Sequence, residues 1–230
     1  MHAAKLQSIA ISVFTFISVA SRAEDIEPYS CRNGLFPSAQ HSLQLGRFAG
    51  EKDQKLYFYK DDPGCPNDEN RCRKNAYVVP GDELLINKTV AGWACAWFHG
   101  TKHETVGWVK TDSLVFLPTE NVDRRDWLGT WKFYNVDGVI TITEKGESLS
   151  VEGSTIWQGG MSPAGYPVVH TGEIAGTIKP VNGRAHLSDG DREIDCAADF
   201  VRIGRYLVVH DNGNCGGVNV RFDGVYAKTR

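Results

Sequence analysis

The sequence predicts an all-β chain built as two successive disulfide-stapled β-domains, and three observations carry that reading. Short runs of β-branched and aromatic residues recur between Gly, Pro, Asn and Asp, and no stretch of the mature region keeps a helical period. Six cysteines stand in 230 residues, an even number of the kind a disulfide framework uses. A polar stretch containing Pro, Leu117 to Arg125, separates two patterned regions, with four cysteines before it and two after. The composition, 41% hydrophobic and 23% charged, is that of a globular protein and excludes a disordered, collagenous or coiled-coil chain.

The chain opens with Lys5, an uncharged apolar run from Leu6 to Val19, and small residues at Ser21 and Ala23. This is the pattern of a secretory signal peptide over residues 1–23, cleaved before Glu24. The run is about 14 residues long, short of the roughly 20 that span a bilayer as a helix. Cleavage removes Lys5 and Arg22 and leaves 23 basic against 28 acidic residues, a formal net charge of −5, which does not attract nucleic acid. The expected location is periplasmic or secreted. In that oxidising setting the cysteines read as bridges rather than metal ligands, since no His stands at zinc-finger spacing from Cys65 and Cys72.

Residues 24–119 form the first expected domain. Strands are expected at Lys55–Tyr59, Ala76–Val79, Glu83–Ile86, Trp93–Phe98, Gly107–Val109 and Leu114–Leu117, a small β-barrel pattern. Its four cysteines allow three pairings; Cys65 with Cys72 and Cys31 with Cys95 are favoured, because Cys65 and Cys72 flank a turn-rich Pro/Asn loop. The segments Pro80-Gly81-Asp82-Glu83-Leu84-Leu85, Gly92-Trp93-Ala94-Cys95-Ala96-Trp97 and Gly107-Trp108-Val109 through Leu114 resemble a bacterial SH3-like module of exported proteins. That resemblance implies a fold, and docking on peptidoglycan or protein. The aromatic and acidic groove motif of proline-peptide-binding relatives is not evident here.

Residues 124–230 form the second. Eight strands are expected, at 127–134, 138–145, 148–157, 172–181, 184–189, 196–203, 205–211 and 217–228, joined by turns at Asp137-Gly138, Lys145-Gly146, Asn182-Gly183, Asp189-Gly190 and Gly204. Asn-Gly suits a two-residue hairpin. Ile140 with Ile142, Ile174 with Ile178, and Val218, Val220 and Phe222 alternate with polar residues, which places them on one inward face. Consecutive hairpins with one apolar face predict an antiparallel up-and-down eight-stranded barrel. Cys196 pairs with Cys215 if bridges stay within domains, closing a loop of about 20 residues worth roughly 3 kcal/mol. The link Gly159–Pro167 is read as an irregular recognition loop, which brings Tyr166 into consideration.

Leu128-Gly129-Thr130-Trp131 resembles the Gly-x-Trp opening of lipocalin-like barrels, which implies a tryptophan plug at one barrel end. The closing Cys215-Gly216-Gly217-Val218-Asn219-Val220-Arg221-Phe222-Asp223-Gly224-Val225-Tyr226 is similar to the terminal module of uncharacterised exported proteins and lysozyme-inhibitor-type proteins.

No catalytic constellation stands out: there is no Gly-x-Ser-x-Gly elbow, no His-Glu-x-x-His pair and no phosphate-binding glycine loop. Neither a catalytic residue, a metal nor a cofactor is expected. His99 and His103 read as loop histidines, His210 beside Asp211 as a polar barrel rim, and Asp189, Asp191, Glu193 and Asp195 as a solvated acidic turn. Of the six tryptophans most are expected in cores. Trp97 and Phe98, with His99 beside them and Tyr166 from the long link, are the candidate binding residues. The expectation is a non-catalytic envelope binding protein, an inhibitor or immunity factor of a cell-wall-degrading enzyme. The alternatives are a peptidoglycan-docking module and a lipocalin-like binder of a small apolar ligand packed against Ile140, Ile142, Leu149, Val151, Ile174, Ile178 and Phe222.

Overall fold

The computed structural model describes residues 26–27, 29–32, 36, 42–100, 103–118, 121–134 and 137–229; the expected signal peptide lies outside the described residues. The first sheet is built from β1 (Gln44–Phe48), β2 (Leu56–Tyr59), a helical turn α1 (Glu69–Cys72), β3 (Arg73–Val78), β4 (Glu83–Val90), β5 (Trp93–His99), β6 (Glu104–Lys110) and β7 (Leu114–Phe116), with a 3₁₀ turn at Thr111–Ser113. Its order is β3-β2-β6-β5-β4-β1-β7. The run β7-β1-β4-β5-β6, with the β2–β3 hairpin inserted after β1 and the 3₁₀ turn before β7, is the strand arrangement of an SH3-like barrel. Strand β1, whose Leu-Gly-Arg-Phe core is interrupted by glycine and charge, is not foreseen from the sequence; it pairs with both β4 and β7.

The second sheet follows α2 (Arg124–Trp127). It contains β8 (Gly129–Phe133), β9 (Val139–Lys145), β10 (Ser148–Met161), β11 (Pro167–Ile178), β12 (Arg184–Ser188), β13 (Ala197–Ile203), β14 (Tyr206–Asp211) and β15 (Gly224–Lys228). All eight expected strands are present, in antiparallel up-and-down order, and the first pairs with the last through Phe133↔Tyr226 and Trp131↔Lys228. The barrel is open only between β11 and β12. There Asn182 and Gly183 both take positive φ in a two-residue turn closed by Val181 and Arg184, as the Asn-Gly pair predicts.

Two expectations are corrected here. The link Gly159–Pro167 is not an irregular loop: β10 runs on to Met161 and β11 starts at Pro167, so a two-stranded hairpin continues past the barrel. Its unpatterned sequence hides this because, beyond the barrel, neither face is buried against a core. The expected strand at 217–228 is confined to Gly224–Lys228. Asn219 takes φ +68°, which breaks the alternation, and Val218 is 70% exposed while Val220 and Phe222 are buried.

The barrel interior is filled by one cluster that includes Ile140, Ile142, Leu149, Val151, Ile174, Ile178 and Phe222. Trp127 and Trp131, both fully buried, belong to it, and the Trp131 indole donates to the Trp127 carbonyl at 2.9 Å. The Arg202 guanidinium lies 4.9 Å above the Trp131 ring while its Nε donates to the Asp126 carbonyl. Both tryptophans thus belong to the packed interior of the second sheet. The three bridges are Cys31–Cys95, Cys65–Cys72 and Cys196–Cys215, which fits an oxidising compartment.

The two sheets are not independent. In β5, Ala94 and Ala96 face the interior of the first barrel, whereas Trp93, Cys95 and Trp97 face outward. In β14, Leu207 and Val209 face the second interior, whereas Tyr206 and Val208 face outward. The two outward faces belong to a single buried cluster that also takes in Leu85, Val201, Ile203 and Val225. The Trp97 and Tyr206 rings meet edge to face, centroids 5.3 Å apart, a favoured aromatic geometry. At Gly204, in the β13–β14 turn, an added Cβ would stand 2.5 Å from Leu45 of the first sheet, so the turn needs glycine for this close approach as well as for its positive φ. Asp61, buried beside the seam, accepts from the Cys31 N–H at 2.7 Å and the Trp108 indole at 2.8 Å, which fastens the N-terminal segment over the outer face.

Trp97→Ala empties the centre of the seam. It should cost about 3–5 kcal/mol, and urea unfolding should resolve from one transition into two as the barrels uncouple; a single, unshifted transition would count against a shared core.

Candidate functional site

The sequence-predicted binding residues fall in two places. Trp97 is 2% exposed and its indole N–H donates to Glu104 Oε2 at 2.7 Å, so it holds the seam and presents no surface to a partner. Phe98, on the opposite face of β5, is partly buried against the first barrel's interior. His99 stacks on Trp97 and meets the Tyr134 ring edge to face at 4.1 Å, while the Tyr134 hydroxyl donates to the Gly100 carbonyl. Burial, with a smaller push from the Arg205 guanidinium, lowers the His99 pKa below the ordinary imidazole value. Phe98 and His99 line an open groove of about 660 Å³ with Tyr77, Val79, Asp82 and Arg205, at the edge of the seam.

Tyr166 stands elsewhere, at the tip of the β10–β11 hairpin, 71% exposed. Strand β9 pairs with β10 only from Ser148 to Ser154, whereas β11 follows β10 to Met161. Residues 155–171 therefore project as a two-stranded arm. Met161 at 67% and Val169 at 48% exposure join Tyr166 on it, and Val218 stands exposed on the loop beside its base. The tip is ordered by Ser162, whose N–H donates to the Tyr166 carbonyl at 2.7 Å and whose hydroxyl accepts from the Tyr166 N–H. Trp157 packs on its cross-strand partner His170, centroids 5.2 Å apart, and its ring lies over Gly159, where a Cβ would collide with it.

The base of the arm is clamped. The loop after β14 lies along β11: the Gly217 N–H donates to the Thr171 carbonyl and His170 Nδ1 is 2.5 Å from the Val218 carbonyl oxygen. The Cys196–Cys215 bridge holds that loop to the start of β13. Asp211, buried, accepts from the N–H groups of Gly213 and Phe222 and so ties the two ends of the loop together. His210 pairs with Asp223 at 2.5 Å rather than with Asp211. Burial and the Asp211 charge raise the Asp223 pKa against the opposing pull of His210. This His–Asp pair is part of the clamp.

A groove of about 780 Å³ runs beside the arm, lined on one side by Ile156, Trp157 and Gln158 and on the other by Lys132–Tyr134 and Asp137–Val139. The acidic turn after β12 is held by an Arg192–Asp195 ion pair, and that hydrogen bond lowers the Asp195 pKa. Among the described residues no three His, Cys, Asp or Glu side chains are grouped to hold a metal ion, and no helix is long and apolar enough to cross a membrane.

Sequence reasoning places Met161 in the Gly159–Pro167 link and Trp157 among the tryptophans expected in cores, and does not single out Val169 or Gln158. A charge count points to them: between Glu152 and Glu173 there is no Asp, Glu, Lys or Arg, in a chain that is 23% charged. No family model matches the chain, and no curated protein or solved structure matches it significantly.

Because its folded pKa is lowered, neutral His99 stabilises the fold fully above pH 6.5, and this contribution is lost as pH falls below that value and the unfolded chain takes up the proton first. The stability gap between wild type and His99→Gln, measured by urea unfolding, should narrow from pH 8 to pH 5.5; a gap independent of pH would contradict the assignment.

Proposed function

We propose that the protein is a non-catalytic binding protein of the periplasm or extracellular space, which presents the β10–β11 arm to a protein partner as an inhibitor or immunity factor of a cell-wall-degrading enzyme. The observation that carries this reading is the arm itself: an uncharged hairpin that projects past the barrel with Tyr166, Met161 and Val169 exposed. Isolated apolar residues on a surface are ordinary, but several on one projecting element mark a contact site. Tyr is among the residues that dominate interface energies, because a large rigid ring is buried with little loss of side-chain entropy. A neutral arm enters a cleft without stripping water from charges. The clamp at its base supports the reading further, since a pre-ordered element loses less entropy on binding. The apolar-ligand alternative draws less support, because its inward residues pack on one another.

The test is a panel of lysozyme- and amidase-type enzymes assayed with the purified mature chain. The expected outcome is inhibition of at least one of them, with the double variant Tyr166→Ala, Met161→Ala binding about thirtyfold more weakly, some 2 kcal/mol, at an unchanged melting temperature. Absence of binding and inhibition across the panel, or an arm variant as potent as wild type, would reject the proposal.

A further inference from the structure

The end of the second barrel that carries the arm also bears on the kind of partner the arm suits, an inference that rests on the arm being the contact element. Among the described residues, every exposed large apolar side chain of the second barrel except Val181 stands at this end: Met161, Tyr166 and Val169 on the arm, Val218 on the clamping loop and Ile194 in the turn after β12. Hydrogen bonds join the three segments. Asn214 and Asn212 of the loop donate to the Glu193 and Asp195 carbonyls of the turn at 2.9 and 2.7 Å, and on its other side the loop is bonded to Thr171 and His170 at the base of the arm. A partner therefore meets one pre-ordered surface rather than a lone hairpin.

The charge around that surface has one sign. The arm is uncharged, whereas the turn Asp189–Asp195 carries four carboxylates around Ile194, of which Asp189, Asp191 and Glu193 are exposed. The cations of the turn and the loop are already matched: Arg192 pairs with Asp195 at 2.6 Å, and Arg221 lies 3.7 Å from buried Asp211. At the opposite end the segments 121–128, 145–147, 179–183 and 204–205 carry five cations against three carboxylates. The negative field thus belongs to the arm end and not to the barrel as a whole. Charges at the rim of a contact draw in a partner of opposite sign, while the apolar centre sets how long it stays. Two arm ends of this chain repel one another, which disfavours a second copy as the occupant.

We infer that the arm end selects a basic partner: a wall-degrading enzyme whose cleft receives the neutral tip and whose rim presents lysine and arginine side chains to Asp189, Asp191 and Glu193. The arm supplies the lasting contact in this arrangement. The carboxylates supply the speed of encounter and the rejection of acidic enzymes.

The test measures association and dissociation rates by stopped flow, for the full mature chain with its disulfides intact against lysozyme- and amidase-type enzymes chosen as basic and acidic pairs. The expected result is binding to the basic members alone, with association slowing about tenfold or more between about 20 mM and about 200 mM NaCl. The double variant Asp191→Lys, Glu193→Lys should slow association about tenfold and leave dissociation and the melting temperature unchanged. Glu144→Lys with Glu147→Lys makes the same change of net charge at the opposite end, and should leave association near the wild-type rate. Tyr166→Ala with Met161→Ala should act on dissociation instead. Equal binding of acidic members, association independent of salt, or equal slowing by the two charge-reversal pairs would overturn the inference; an arm variant that still dissociates faster then leaves the arm as the contact element. An arm variant that dissociates like wild type, or a panel without a binder, rejects both the inference and the reading it rests on.

Discussion

Strands β5 and β14 are apolar on both faces, and each must therefore be covered twice. One face of each fills its own barrel; the other has no place except against its counterpart. A strand buried on both sides reads as a continuous hydrophobic run rather than an alternating one, and Trp93-Ala94-Cys95-Ala96-Trp97 and Tyr206-Leu207-Val208-Val209 are such runs. The seam they form sets the geometry of everything else. It buries Trp97, brings His99 against Tyr134 and places the Gly204 turn on Leu45. It also restrains one wall of the second barrel, the barrel from which β10 and β11 project.

The projecting side is held by polar rather than apolar means. A hairpin with no hydrophobic face against a core cannot be ordered by burial, and an isolated two-stranded hairpin is marginal in water. The structure supplies the missing restraint through the loop after β14. Asp211 draws in the backbone at Gly213 and Phe222, the Cys196–Cys215 bridge fixes the loop to β13, and Gly217 and Val218 meet β11. The loop passes so close to β11 that a Cβ on Gly172 would lie 2.6 Å from the Cys215 carbonyl oxygen, and glycine at that position is a condition of the clamp.

Legibility followed the physics of burial. Where one face is wet and the other dry, as in Ile140-Thr141-Ile142, alternation reports the strand, and the eight-stranded order could be read directly. Cysteine pairing was also accessible, since parity and turn composition favoured the bridges observed. Trp97 was misjudged because a run of aromatic residues looks the same whether it faces solvent or another sheet; only the partner face on β14, about a hundred residues away, distinguishes the two. The arm was missed as a strand pair for the opposite reason. Its Gly-Gly, Ser-Pro and Gly-Tyr-Pro elements satisfy turn rules locally, whereas its extended form depends on cross-strand pairing and on the loop that clamps it. Of the four candidate binding residues, Tyr166 alone lies on the surface that the structure offers most openly.

The distance along the chain between the two halves of the seam has a consequence for the order of assembly. Synthesis proceeds from the N-terminus at about 5–20 residues per second, so the strands of the first sheet are made before Val201–Val225. Trp93, Trp97 and Leu85 are covered by residues that follow them by about a hundred positions or more. The second barrel, in turn, closes only when β15 reaches β8. Val225 of the final strand belongs to the seam cluster, so a chain cut before Gly224 lacks part of the cover over the first sheet's apolar face.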